Sequence, residues 1–430
     1  MSYFVLVLFV IFCAYCWKYL TGNGKLIKNP FPGQAIAYLY ITGPQLFFVL
    51  MLLTGLLRFG FFGLPLDLSA IKLMVLILFI LWGLSNTNAK VYFSWPLLFY
   101  TAYLIWIFIG VFYSPHKDYA IRTFLKYLFP LVLLLFAMKI NINKLLSLKI
   151  MDWLIKASLI YTLVYFSPWF PLPDLLCTWA TFADYSAVAV LMSMGMFFLV
   201  NKKIYLFYAL LFALFPVVRS IRTGILAMSI GLVVFLIVRY RLRSLPYLIV
   251  AIGFFILIVL YVPQVRDKMF IEQMTSEEIF ENRESLSMDD VNTDARQAMW
   301  DWALAYLYEP NQTIGSGLGS LQASLYDEEV NPFPFNAIHS DYVQILCDSG
   351  NIGFILYLLT FLAMFIHCIV IFYKNRNDKT ICLFALLSAS SLAAVMTSSI
   401  TSNVVNFTAA SYIYPYAFYG ICLTLLNQKK

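Results

Sequence analysis

The chain has 430 residues, 62% of them hydrophobic and only 12% charged, with a net charge of +7. That charge fraction is about half of what soluble domains carry, which excludes a soluble globular protein. The basic residues stand singly between apolar runs, without an aromatic-interleaved patch, which excludes a nucleic-acid surface.

Apolar runs recur along the chain, each long enough to cross about 30 Å of hydrocarbon. They are continuous rather than alternating, so they are expected as helices and not as barrel strands. Spans are expected at roughly 3–17, 36–57, 69–85, 94–113, 121–138, 151–167, 179–200, 204–218, 222–238, 246–262, 351–373, 380–400 and 404–426. The first run precedes many others, so it reads as a span and not as a cleaved signal peptide. Pro44, Pro96, Pro130 and Pro216 are expected to bend or break their helices. Cys13, Cys16, Cys368, Cys382 and Cys422 read as small apolar packing residues, whereas Cys177 and Cys347 fall where they could face outside. The expected fold is an all-α polytopic membrane protein of about 12–13 transmembrane helices with one large helical loop. It divides into a membrane domain over 1–262, a polar loop over 263–350 and a second membrane stretch over 351–430.

Charge sets the orientation. Lys18, Lys25, Lys28, Lys90, Lys139, Lys144, Lys149, Lys202, Lys203, Arg239, Arg241, Arg243, Lys374, Arg376, Lys379, Lys429 and Lys430 all fall on one side of a thirteen-span arrangement. The positive-inside rule makes that side cytoplasmic and the 263–350 loop extracytoplasmic, with the N-terminus outside. The loop holds 16 of the 22 acidic residues and four basic ones, Arg266, Lys268, Arg283 and Arg296.

Two helices are expected in the loop. The first runs from Thr293 to Tyr308, with Asn292 or Thr293 as its cap, a face of Ala295, Met299, Trp302, Ala303 and Tyr306, and a stop at Glu309-Pro310. The second runs from His339 to Asp348 and stops at Gly350. Between them GSGLGS reads as a flexible glycine turn, able to bring backbone amides near an anion, although a lone Gly-rich turn is a weak signal for that.

Candidate chemistry sits at the outer rim. His339 is suited to moving a proton, the ordinary alternative being a surface or capping histidine. Arg219 and Arg222 lie on the outer side, where topology gives no reason for cations, and an arginine fork suits the oxygens of a phosphate or diphosphate; the ordinary alternative is snorkelling to headgroups. Arg296 is a third cation, unless it simply pairs with Asp294 or Asp301 on its own helix. Arg122 and Lys126 are one helical turn apart at the outer end of the fifth span. Asp184 either steadies an arginine and lines a cavity or merely starts its helix. Asp341 and Tyr342 neighbour His339. With three histidines in all, no metal-ligand cluster is apparent.

At these residues the sequence resembles the bacterial O-antigen ligase and polysaccharide polymerase superfamily of integral membrane glycosyltransferases. SIRTGILA is similar to the family's Ser-x-Arg-small motif and implicates Arg222. DARQAMWDWAL, followed by GSGLGS, is similar to its Arg-x-x-x-Trp/Tyr loop helix and implicates Arg296. IHSDYVQILCDSGNIG is similar to its His motif leading to Gly-x-x-Gly and implicates His339; TFADYSAVAV is similar to a looser upstream segment. The resemblance covers roughly residues 180–372. Ser340, Asp348 and Ala295 stand where the family commonly has Asn, Glu and Gly.

The resemblance implies a GT-C-like fold and transfer of a glycan from undecaprenyl diphosphate without a metal or other cofactor. It also implies a lipid-linked or lipid A-core glycan acceptor, the lipid bilayer, and other polysaccharide assembly proteins as partners. The leading expectation is a polymerase acting at the outer face of the inner membrane, and the close alternative is the ligase that moves finished polymer onto lipid A-core. A transporter would instead call for paired charges at mid-membrane and internal repeats, and neither is visible.

Overall fold

A computed structural model describes residues 25–28, 38–53, 55, 93–166, 178–263, 296–333, 336–405 and 410–429. The expected spans 3–17 and 69–85, most of 263–295, and Cys13, Cys16 and Cys177 lie outside the described residues. The protein is an all-α polytopic membrane protein, with one short antiparallel pair, β1 (Lys25–Lys28) and β2 (Tyr38–Ile41), in register Lys25 to Ile41.

The helices are α1 (Gly43–Leu53), α2 (Trp95–Tyr113), α3 (Lys117–Lys139), α4 (Lys144–Phe166), α5 (Trp179–Val200), α6 (Lys203–Val218), α7 (Arg222–Tyr240) and α8 (Leu245–Tyr261). They continue as α9 (Arg296–Ala303), α10 (Ser320–Tyr326), α11 (Asp341–Lys374), α12 (Lys379–Thr401) and α13 (Ile413–Asn427). Among the described residues six helices, α2, α3, α5, α7, α11 and α12, are long and apolar enough to cross a membrane.

Two expected spans are corrected. The 36–57 run begins as the strand Tyr38–Ile41 and becomes helical only at Gly43. Pro44 then occupies the first turn, where its missing N–H costs nothing. Within the 404–426 run the described α-helix starts at Ile413, and residues 406–409 lie outside the described residues. Pro96 likewise stands in a first turn, so of the four prolines only Pro130 and Pro216 lie inside helices.

The bundle is organised on α12, which packs against α5, α7, α11 and α13. Of its apolar window 78% is buried, against 39% for α2, so α12 is central and α2 peripheral. Its sequence is rich in serine and alanine, and small side chains let helix backbones approach closely. A Cβ on Gly231 of α7 would stand 3.1 Å from Ala394, and one on Gly195 of α5 would stand 2.6 Å from Leu383. The buried hydroxyls of Ser390 and Ser391 return to the carbonyls of Leu386 and Leu387, so these two polar groups are met within the helix.

Charge divides the bundle end from end. At one end Lys144 pairs with Asp378, Gln428 donates to Asn141 and Lys429 to Asn375, and Arg241 and Arg376 both lie over the Tyr373 ring. The opposite end carries Arg219, Arg222, Arg296 and His339.

At that end the 296–350 segment builds its own small core from Met299, Ala303, Leu307, Leu321, Leu325, Ile338, Val343 and Cys347. The buried face of the first loop helix is therefore Met299–Ala303–Leu307, and Tyr306 is exposed rather than inward-facing. The α-helix passes into a single π-helical turn over Leu304–Tyr308. The Asn292, Thr293 and Ala295 positions assigned to this helix lie outside the described residues.

Candidate functional site

His339 does not belong to the second loop helix as expected. That helix, α11, starts at Asp341, and Ser340 is its N-cap, accepting from the Val343 N–H at 3.4 Å. His339 precedes the cap in a left-handed conformation (φ 54°), which costs a non-glycine residue free energy and is held by its surroundings. Trp300 on α9 supplies one restraint, donating to the Ile338 carbonyl at 2.8 Å. Desolvation first, and the nearby Arg296 charge second, push the His339 imidazole below its ordinary value. The ring is therefore neutral at neutral pH and able to accept a proton.

Arg296 leaves its own helix. Its Nη1 donates to the Thr401 carbonyl at 3.2 Å, at the end of α12. The turn that follows, Thr401–Val405, is gripped from two sides. Asp341, fully buried, accepts the Val405 N–H with both carboxylate oxygens, at 3.4 and 3.2 Å. Asp184, buried on α5, accepts from the Ser398 hydroxyl at 2.7 Å, one turn before the helix ends. The two carboxylates are near enough to feel one another's charge. Asp184 and Asp341 thus meet at the α12 terminus, which also receives Arg296.

Arg222 opens α7 and is half-buried. Gly224, two residues on, is the close-approach position: a Cβ there would stand 2.7 Å from Ala183, the residue before Asp184. The first turn of α7 therefore lies against the same part of α5 that carries Asp184. Arg222, Asp184, Asp341, Arg296 and His339 converge at one end of the bundle from α7, α5, α11, α9 and the segment before α11.

The other candidates have different settings. Arg219 lies with its guanidinium 4.0 Å from the Trp179 ring centroid and donates to the Tyr165 carbonyl at 3.0 Å, tying together α4, α5 and α6. Tyr342 donates to the Met396 carbonyl at 3.1 Å, which joins α11 to α12. Arg122 is exposed and Lys126 half-buried on α3, whose N-terminal end lies under the glycine turn.

That turn is not a flexible one. Gly315, Gly317 and Gly319 all have positive φ, and a Cβ on Gly317 or Gly319 would come within 2.6 Å of the Ser114 or Tyr119 backbone. Its amides do meet an anion, but an internal one: Asp348 accepts the N–H groups of Gly319 and Leu321, both at 3.0 Å. Gly350 (φ 62°, ψ −168°) breaks α11 just beyond, and Asn351 donates to the Gln312 carbonyl at 2.7 Å. Asp348 and the Thr401–Val405 turn were both missed as site elements. The polar run TSSITSN after the apolar body of α12 was the available signal for the turn.

Among the described residues no group of three His, Cys, Asp or Glu side chains could hold a metal ion. Two cations, a neutral imidazole and two buried carboxylates can bind an anionic leaving group and remove a proton beside it.

Residues 207–358 match the family model described as O-antigen ligase. The matched stretch contains Arg219, Arg222, Arg296, His339, Asp341, Tyr342 and Asp348, and it excludes Asp184 and the Thr401–Val405 turn. No curated protein matches the chain.

Proposed function

We propose that the chain, of which residues 207–358 match the O-antigen ligase family model, acts as a member of the O-antigen ligase and polysaccharide polymerase superfamily and transfers a glycan from undecaprenyl diphosphate to an acceptor hydroxyl. The acceptor oxygen attacks the anomeric carbon, and the bond from that carbon to the diphosphate oxygen breaks. The hydroxyl proton passes to the neutral His339 ring. The charge that grows on the departing diphosphate is met by Arg222 and Arg296, whose forked donors suit phosphoryl oxygens. Undecaprenyl diphosphate leaves, and His339 returns its proton to water. The observation that carries this reading is that Arg222, Arg296 and His339, all within the stretch that matches the O-antigen ligase model, lie at one end of the bundle.

The basic residues gathered at the opposite end of the bundle support a site on the outer face of the cytoplasmic membrane. The description of the matching family favours the ligase, with lipid A-core as acceptor, over the polymerase expected from sequence. The polymerase, adding to another lipid-linked repeat unit, is the second reading, since both share donor chemistry. Replacing chromosomal Arg222 by Ala and analysing the glycolipids separates them. Loss of a ligase leaves long polymer on undecaprenyl diphosphate, whereas loss of a polymerase leaves single repeat units on lipid A-core. Unchanged glycolipids would count against both.

A further inference from the structure

Asn403 occupies the middle of the turn that follows α12. On one side of it the Thr401 carbonyl takes Arg296, and on the other the Val405 N–H is given to Asp341. Its side chain is 5% exposed, and among the described residues neither Nδ2 nor Oδ1 has a hydrogen-bond partner. A primary amide carries two donors and an acceptor, and burying all of them unmade is unfavourable. The contrast is local. The carboxylates of Asp184 and Asp341, equally buried beside it, are both hydrogen-bonded. Other buried side chains among the described residues leave one polar atom unmet, but Asn403 leaves both its donor and its acceptor unmet, and an explanation that the surroundings supply is a ligand that completes them.

We propose that Asn403 is a binding residue for the sugar next to the diphosphate, with its amide pairing with ring hydroxyls. This inference rests on the reading of the site as a glycan-transfer centre. A diphosphate offers only acceptors and would satisfy Nδ2 while leaving Oδ1 bare. A pair of sugar hydroxyls both donates and accepts, and so completes both ends of the amide. The position fits that role, because a residue flanked by the Arg296 and Asp341 attachments is fixed in relation to Arg296 and His339. The two buried carboxylates then have a purpose beyond the fold: they hold the backbone on which Asn403 is mounted.

The test uses the purified full-length protein in nanodiscs with an undecaprenyl-diphosphate glycan donor and a glycolipid acceptor. Asn403→Ala and Asn403→Leu are compared with the wild type for Tm, and for the kcat and KM of the donor. The expected result is a Tm kept or raised, since an unmet amide is removed, with KM for the donor raised about tenfold, the scale of one lost hydrogen-bonding residue. A donor deoxygenated at the contacted hydroxyl should lose affinity with the wild type and lose nothing further with either variant. A fall in Tm with unchanged KM in both variants would assign Asn403 a purely structural role, such as holding an internal water, and overturn the proposal. If the wild type transfers glycan and Asn403→Ala retains KM, this inference alone fails. A wild type inert towards such donors overturns the transfer reading and this inference with it.

Discussion

Arg296 donates to the Thr401 carbonyl at 3.2 Å, so a cation of the 296–350 segment is anchored to the end of the central helix α12. The same cation acts on His339. One arginine is thus bonded to the bundle and also opposes the charging of His339, and that coupling is measurable.

The Arg296 charge disfavours the imidazolium of His339. In the wild type the base therefore stays neutral below the ordinary histidine value, and transfer should fall only as the pH drops through that depressed value. Removing the cation in Arg296→Gln should lift the His339 value and move the acid limb of kcat/KM to higher pH, on top of a lower plateau. Arg296→Lys should keep the limb nearer that of the wild type. Superimposable acid limbs in the wild type and Arg296→Gln would contradict the coupling.

Asp348 accepts two buried N–H groups of the glycine turn, those of Gly319 and Leu321. Asp348→Ala leaves both unmet at about 1–3 kcal/mol each, and should lower the Tm of the solubilised protein by several degrees. Asp348→Asn retains an acceptor oxygen and should lose less. Equal Tm for Asp348→Ala and the wild type would show that the turn is held by other means.

Gly319→Ala places a Cβ 2.6 Å from the Tyr119 backbone at a φ of +77°, where an L side chain is strained even without the collision. Gly253→Ala on α8 meets nothing within 4 Å. Thermal unfolding should show a marked loss for the first, and a neutral to slightly stabilising effect of up to about 1 kcal/mol for the second. Similar Tm values for the two would contradict the tight seating of the turn.

Thr313 is exposed on the 296–350 segment, which we propose faces outward, and its backbone carbonyl, not its side chain, accepts from Ile352. A Thr313→Cys variant should therefore fold normally. In intact cells with a permeabilised outer membrane it should react with an impermeant thiol reagent above the wild-type background. Labelling that appears only after lysis would reverse the assigned orientation.

The helices were largely legible in the sequence because a continuous apolar run of span length has few alternatives in a membrane. The span 179–200 coincides with α5, and 222–238 falls within α7. The misread ends have physical causes. Apolar residues at Tyr38–Ile41 suit a strand as well as a helix, and the residues between Ser402 and Tyr412 are apolar enough to pass for part of a span. Gly350 was read correctly as a helix stop, since left-handed backbone is a local property that one residue type signals. The Asp348 contacts and the Arg296 attachment were not legible. They join residues 27 to 105 positions apart, and hydrophobic periodicity carries no information about such partners. GSGLGS was misjudged for the same reason: its glycines serve close approach to α2 and α3, which only the fold reveals.

The central claim, that His339 is the proton acceptor of a glycan transfer from undecaprenyl diphosphate, is tested most directly by single-turnover kinetics of purified wild-type and His339→Ala protein. The reaction would contain a lipid-linked donor and a glycolipid acceptor, with transferred glycan measured over time. Loss of general-base help should slow the transfer step by about 10²–10⁴-fold, with donor binding and Tm close to wild type. Transfer by His339→Ala at the wild-type rate would contradict the account.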